Sequence, residues 1–124
     1  MALKEMRFDE IDNILYTKSI GMVNLEDMLK NLDNLSHDTV LPKHLKVVED
    51  AREAIVTFSE SELHLLAAKL ELVADNFNLI KHAVVHSSPM NTALSILVSG
   101  MVKRENYYLK VFSTLEGAIN WVRN

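Results

Sequence analysis

The hydrophobic and polar positions of the chain alternate with two different periods, and the order of these periods predicts the architecture. Two short strands come first, over residues 3–8 and 14–20, and the acidic and amide residues between them suit a hairpin connection. After Gly21, Asn24 is placed to cap a helix whose apolar positions recur every three or four residues and which has to end before Pro42. The first third of the chain therefore predicts a β-hairpin followed by a helix.

The middle of the chain predicts a buried strand and then a long helix. Residues 45–50 contain two adjacent valines, which is typical of a strand covered on both faces. The strand is expected to end in a polar segment over residues 49–53, here called the polar exit. The helix is expected to begin at Ser59, because Ser59 and Glu62 have the spacing of a capping box. One apolar stripe continues this helix for about five turns; it consists of Leu63, Leu66, Ala67, Leu70, Val73, Ala74 and Phe77.

A strand and a helix follow once more. Residues 79–86 predict an apolar strand, and Ser88 and Pro89 suit the cap and the first position of the next helix. We expect this helix to be buried, because residues 93–102 form the longest apolar stretch of the chain. Its predicted apolar positions are Met90, Leu94, Leu97, Val98 and Met101.

The end of the chain predicts a last strand and a short amphipathic helix. The strand covers residues 107–112, and Ser113 with Glu116 has the spacing of a second capping box. The full order is ββαβαβαβα, which predicts one α/β domain over residues 1–124 with a mostly parallel sheet and right-handed crossovers. The first strand is expected to run antiparallel at or near an edge.

The composition excludes several classes of functional site and adds less to the prediction of the fold. The chain has 124 residues, a formal charge of −4 and no cysteine, so disulfide frameworks, cysteine nucleophiles and cysteine-containing metal sites are excluded. Its three glycines leave no place for a glycine-rich phosphate-binding loop. The mildly acidic charge without long runs argues against nucleic-acid partners. No apolar run approaches the roughly 20 residues of a membrane span, and no secretory signal is recognised, so a cytoplasmic location is expected.

Two segments resemble the SpoIIAA-like domains, also called STAS-like, and in particular an uncharacterised bacterial branch of them. Residues 45–52, Leu-Lys-Val-Val-Glu-Asp-Ala-Arg, resemble a strand that ends in an Asp-Ala-Arg turn. Residues 111–122 resemble a strand ending in Val-Phe that leads into a helix with a closing Trp121. The resemblance implies a SpoIIAA-like fold and a non-enzymatic module with a regulatory or protein-interaction role in the bacterial cytosol.

Regulatory members of these domains are switched by phosphorylation of a serine in an Asp-Ser-Ser/Thr-Gly turn at the start of the second helix. When this chain is aligned on Leu63, the switching position is occupied by Glu60, and the Asp and Gly of the motif are missing. Ser61 is retained as a candidate phosphosite, since added charge near a helix N-terminus is favourable. Ordinary capping by Ser59 and Glu62 is the favoured interpretation.

The candidate ligand or partner site lies where parallel strands end, because ligands of such sheets gather at that edge. The residues expected there are Asp50, Arg52, His86 and Ser88, which together offer a carboxylate, a guanidinium, an imidazole and a hydroxyl. Purely structural roles, an ion pair and a helix cap, are favoured over catalysis. His82 shares a strand face with His86, but about 13 Å between their α-carbons does not suit one ion. No metal, cofactor or catalytic constellation is predicted.

A small-molecule or lipid-binding domain is the alternative function. Met22, Met28, Met90 and Met101 could form an adaptable apolar surface or pocket, although methionines at helical spacing more often fill a core. The same general fold is shared by the CRAL-TRIO lipid-binding domains, which is an analogy of fold and not of site. A homodimer through the first strand or a helix face is also compatible with the sequence.

Overall fold

A computed structural model describes residues 2–124, with side chains described from residue 5 onward. The strands are Ala2–Asp9, Ile14–Val23, His44–Val56, Leu79–Val85 and Tyr107–Phe112, labelled β1 to β5. The helices are Leu25–Ser36, Leu63–Ala74, Pro89–Met101 and Leu115–Arg123, labelled α1 to α4. The predicted order ββαβαβαβα is confirmed. The side chain of Leu3, at the start of the first predicted strand, lies outside the described side chains.

The five strands form one sheet in which they lie side by side in chain order, β1-β2-β3-β4-β5. β1 is antiparallel to β2 at the edge, as predicted, and each later neighbour is parallel to the strand before it. Right-handed crossovers that all step in one direction must leave the sheet on the same side. Accordingly α1, α2 and α3 cover one face, here called the helical face, and α4 covers the other, here called the α4 face.

Two apolar clusters hold the layers together. On the helical face the apolar stripe predicted for the second helix is buried against the sheet; the cluster includes Leu15, Leu45, Val47, Leu63, Leu66, Leu70, Val73, Ile80 and Val98. On the α4 face the buried cluster consists of Ile14, Val48, Ala83, Val85, Ala118 and Val122. α4 is also fixed at its end, because Lys81 Nζ donates to the Trp121 carbonyl at 2.7 Å. The Trp121 ring also packs against Phe112, with 5.7 Å between the ring centroids, so Trp121 serves as a packing anchor.

β3 is longer than the sequence predicts, and the expected polar exit over residues 49–53 is wrong. The strand continues to Val56 because β2 continues to pair with it, across an irregularity between Lys18 and Ile20. Gly21, next to this irregularity, has a φ of 90°, a conformation that favours glycine. Because of this extension, Glu49 lies near the middle of β3 and not at its polar end.

The start of α2 differs from the prediction by one turn. The Ser59 amide donates to Glu62 Oε1 at 2.9 Å. This confirms one of the two hydrogen bonds of the capping box, the one from the backbone of the cap residue to the glutamate side chain. A short 3-10 turn, Glu60–Glu62, follows before the α-helix begins at Leu63. Phe77 lies beyond the helix end but is buried, with 5% of its surface exposed.

Two expectations for the later helices are wrong. α3 is not a buried helix, because Val98 is its one buried residue and Met90 is 71% exposed. Its position over the edge strand β5 leaves most of its circumference without a neighbour. The cap of α4 is Thr114, whose Oγ1 accepts from the Gly117 amide at 3.1 Å, and not Ser113.

Candidate functional site

A cavity of about 110 Å³ lies between the helical face of the sheet and the three helices that cover it. Its walls are mainly apolar side chains from all five strands and from α1, α2 and α3. α1 closes one side with half-buried residues and has no fully buried residue of its own. The α4 face differs, because α4 packs closely on β3 and β4. A second cavity, of about 190 Å³, lies on that face beside Leu115 and has charged residues in its lining, so the cavity on the helical face is the apolar one of the two.

Buried polar side chains contribute to the wall that the sheet provides. Thr17, Ser19, Glu49 and His86 are the buried polar residues of the described chain, and all four line the cavity. Glu49 is there because side chains alternate along a strand, so the face that carries Leu45 and Val47 also carries residue 49. Only 8% of Glu49 is exposed. An apolar cavity thus has a polar wall on one side.

Glu49, His82 and Tyr107 form a chain of hydrogen bonds across β3, β4 and β5. The distance from His82 Nε2 to Glu49 Oε1 is 2.8 Å, and that from His82 Nδ1 to the Tyr107 hydroxyl is 2.7 Å. An ionised carboxylate only accepts, so Nε2 donates to Glu49, and in the neutral imidazole Nδ1 then accepts from Tyr107. Burial, assisted by the nearby Glu49 charge, raises the pKa of Tyr107 well above its usual value. The phenol is therefore protonated, as its donor role requires.

His86 forms a second polar pair in the cavity wall. Its Nε2 lies 2.8 Å from Ser95 Oγ of α3. The buried Nδ1 makes no hydrogen bond of good geometry within the described chain, although the Ala51 backbone lies close enough to favour its protonation. Burial is the larger effect and lowers the pKa of His86 below 6.5. His86 is therefore a neutral imidazole at neutral pH.

The four predicted site residues lie in different places. Arg52 donates to Asp50 through Nε at 2.9 Å and through Nη2 at 2.8 Å, and this pairing lowers the pKa of Asp50. Asp50 faces the α4 side, whereas His86 lines the cavity on the helical face. Ser88 caps α3 by accepting from the Asn91 amide at 3.4 Å. The four side chains therefore do not form one cluster, and only His86 belongs to the cavity.

The candidate phosphosite lies away from this cavity. Ser61 is exposed on the 3-10 turn, with its Oγ 2.8 Å from that of Ser59. Its phosphorylation stays a prediction. His82 and His86 line the same cavity, in agreement with their predicted common face. Between residues 2 and 124, no group of three or more His, Asp or Glu side chains is arranged to hold a metal ion.

Sequence reasoning missed Glu49 and Tyr107 as site residues. The signal for Glu49 was present in the alternation of residues 45, 47 and 49, and it was lost when the strand was expected to become a polar exit. The methionines that were expected to fill the core lie in different environments. Met28 lines the cavity, whereas Met22 is 55% exposed. No residue near Tyr107 in the sequence indicated that it belongs to the site, since its partner His82 is 25 residues away.

The architecture and the layer arrangement define a SpoIIAA-like fold. A solved structure that shares it is an uncharacterised protein of the DUF3478 family with a SpoIIAA-like fold from Shewanella loihica PV-4. The TM-score is 0.62 at 14% identity, and the match covers 98% of this chain and 93% of that chain. Neither the models of known families nor the curated proteins match this chain. Among the described helices, none has the length and apolar character needed to cross a membrane.

Proposed function

We propose that the protein is a non-enzymatic binding module whose cavity on the helical face takes up a small, mainly apolar molecule. The observation that carries this proposal is the cavity itself, an apolar space of about 110 Å³ with a polar wall. An apolar cavity of about 150 Å³ accepts a molecule the size of benzene. The space therefore suits one ring or a short chain.

The polar groups of the cavity support binding more than catalysis. A serine nucleophile requires a histidine whose other nitrogen is held by a carboxylate. His86 contacts Ser95, but its Nδ1 faces the Ala51 backbone. His82 does contact a carboxylate, but its second nitrogen is engaged by Tyr107, a buried phenol with a raised pKa. Both histidines thus lack one element of an activated nucleophile.

Binding of cyclohexanol tests this proposal, because the molecule matches the cavity in size and carries one hydroxyl. Ligand that binds the folded state alone stabilises it, by about 1.4 kcal/mol at tenfold excess over Kd. We expect a concentration-dependent rise of the thermal midpoint and saturation-transfer NMR signals from the ring protons. Leu32→Trp, which fills the cavity from α1, should abolish both effects.

Leu72→Trp is the matched control. Leu72 is 57% exposed on α2 and does not line the cavity, so the same substitution there should leave binding intact. An unchanged midpoint and no transfer signal in the unmodified protein would show that the cavity is packing space without a ligand role. Equal binding by Leu32→Trp would place the ligand elsewhere.

A regulatory role through a protein partner is the second candidate, and the resemblance to SpoIIAA-like domains implies it together with a bacterial cytosolic location. The observation that favours it is a set of exposed apolar side chains on α3: Met90, Ile96, Leu97 and Met101. Self-association is the form that is simplest to test. Light scattering at micromolar concentration should then give a dimer that Ile96→Glu dissociates, and a monomeric unmodified protein would count against it.

A further inference from the structure

β1 forms one edge of the sheet. It pairs with β2 on its inner side, and the described residues supply no strand on its outer side. The outer side of an edge strand presents backbone N–H and C=O groups with which a strand of another molecule can pair. β5, at the opposite edge, contacts both α3 and α4. The β1 edge is therefore the one to consider as an interaction surface.

Both faces of β1 are exposed at the centre of the strand. Met6 lines the cavity on the helical face and is still 57% exposed, so the neighbouring helices do not cover it. Glu5 and Arg7 lie on the α4 face, and the Arg7 side chain is 66% exposed. The Arg7 guanidinium lies 4.5 Å from the centroid of the Tyr16 ring, which keeps it on this face. The centre of the edge is thus accessible to a second molecule.

Symmetry restricts how two copies of the chain can pair through β1. Identical edge strands that pair antiparallel are related by a twofold axis, and the two sheets continue each other when opposite residues lie on the same face. Because side chains alternate between the faces, the axis must then pass between two copies of the same residue. Registers centred close to either end of β1 pair fewer residues. The candidate centres are therefore Glu5, Met6 and Arg7.

Charge selects one of these three registers. Centring on Glu5 or on Arg7 places two like charges directly opposite each other, which is destabilising. Centring on Met6 places Glu5 of each copy opposite Arg7 of the other, so that two pairs of opposite charge form. The two Met6 side chains then meet on the helical face, where each loses exposed apolar surface. The edge is self-complementary in this register.

The contacts of these residues within one copy are compatible with such pairing. Arg7 Nη1 is 3.8 Å from Asp9 Oδ2, and Asp9 also accepts from two backbone amides of the hairpin turn. Arg7 can therefore turn to a new partner without leaving the Asp9 carboxylate unsatisfied. Lys18, opposite Glu5 on β2, is 3.0 Å from Glu53.

We propose that the protein forms a homodimer in which β1 of two copies pairs antiparallel over residues 3–9, with Met6 on the twofold axis. The five-stranded sheet of each copy then continues into that of the other. The partner that fits this edge is a second copy of the chain, because its Glu5 and Arg7 are the charges that complement Arg7 and Glu5.

Disulfide cross-linking tests the register. The chain has no cysteine, so Met6→Cys introduces a single thiol. Residues that face each other across antiparallel strands have α-carbons about 4.5–5.5 Å apart, a separation that suits a disulfide. We expect mild oxidation at micromolar concentration to give a covalent dimer on a non-reducing gel. Met22→Cys is the matched control, because Met22 is 55% exposed but lies on β2, and it should stay monomeric.

A charge exchange tests the two ion pairs. Arg7→Glu places like charges opposite each other at both positions, so it should raise the dimer Kd in sedimentation equilibrium at least about tenfold. Glu5→Arg should have the same effect. The double variant that combines Glu5→Arg with Arg7→Glu restores opposite charges and should recover most of the affinity. Lys110→Glu, the control, makes a charge reversal on the other edge strand, β5, and should leave Kd unchanged.

The outcomes that would overturn the proposal are specific. A monomeric unmodified protein up to high micromolar concentration would overturn it, and so would equal cross-linking of the two cysteine variants. A dimer that Arg7→Glu leaves intact and Ile96→Glu dissociates would place the interface on α3 instead. The oligomeric state of the unmodified protein needs no variant, so the proposal stays testable even if a charge variant does not fold. None of these measurements involves a cavity ligand, so the dimer and the proposed function can fail separately.

Discussion

Replacement of Tyr107 by Phe removes one hydroxyl from the interior and keeps the ring. Tyr107 is 8% exposed, and its hydroxyl is 2.7 Å from His82 Nδ1. The substitution leaves this nitrogen buried without its donor, since Nε2 continues to donate to Glu49. A buried polar group left unsatisfied costs roughly 1–3 kcal/mol. We therefore expect Tyr107→Phe to lower the free energy of unfolding by about 2 kcal/mol.

Urea denaturation followed by circular dichroism measures this loss. The midpoint should fall while the slope m stays constant, because the surface exposed on unfolding hardly changes. The melting temperature should fall by roughly 6–10 °C for a domain of this size.

Tyr108→Phe is the control that separates the hydroxyl from the ring. Tyr108 is the next residue of β5 and is 53% exposed, so its loss of a hydroxyl should cost less than about 0.5 kcal/mol. If Tyr107→Phe also cost less than this, the Glu49–His82–Tyr107 chain would not be a stabilising network. Equal losses in the two variants would refute the reasoning in the same way.

Three further predictions concern stability. Burial lowers the pKa of His86, so below 6.5 the unfolded chain binds more protons than the folded chain, and stability should fall as the pH drops from about 7 to about 5. In urea titrations at several pH values, His86→Gln should make this fall shallower, and the exposed-site variant His44→Gln should not. Thr114→Ala should cost about 1 kcal/mol by loss of the α4 cap, whereas an equal cost of Ser113→Ala would contradict the observed cap. Val122→Ala should cost about 1–3 kcal/mol in thermal unfolding, against no measurable change for Val40→Ala, whose side chain is 91% exposed.

Most of the fold could be predicted because the local periodicity of apolar and polar residues indicates each helix and strand. The stripe of α2 and the strand of residues 79–86 each carry a pattern within one element. The prediction ended β3 too early because charged residues, Asp50, Arg52 and Glu53, follow its buried first half. Pairing with β2, which lies about 30 residues earlier in the chain, keeps the strand extended. α3 was expected to be buried because its composition is apolar, but burial depends on which neighbours the sheet order supplies.

The candidate site was harder to predict because it, too, depends on contacts between segments that are distant in the sequence. Asp50 and Arg52 are close in sequence, and their ion pair is a local event that the sequence suggests. Glu49, His82 and Tyr107 come from three strands, so their contact depends on the register between β3, β4 and β5. One residue of slip would move Glu49 to the opposite face. Local patterns do not contain that register.

The strict chain order of the strands also affects how the molecule folds. Each new strand from β2 onward adds to an edge that the preceding strand has just formed, and none has to insert between two others. Each parallel pairing therefore closes a single crossover connection, and no pairing spans two of them. Because folding rates rise as the sequence separation of contacting residues falls, we expect this strand order to fold faster than a parallel sheet of the same length in which a strand inserts between two others.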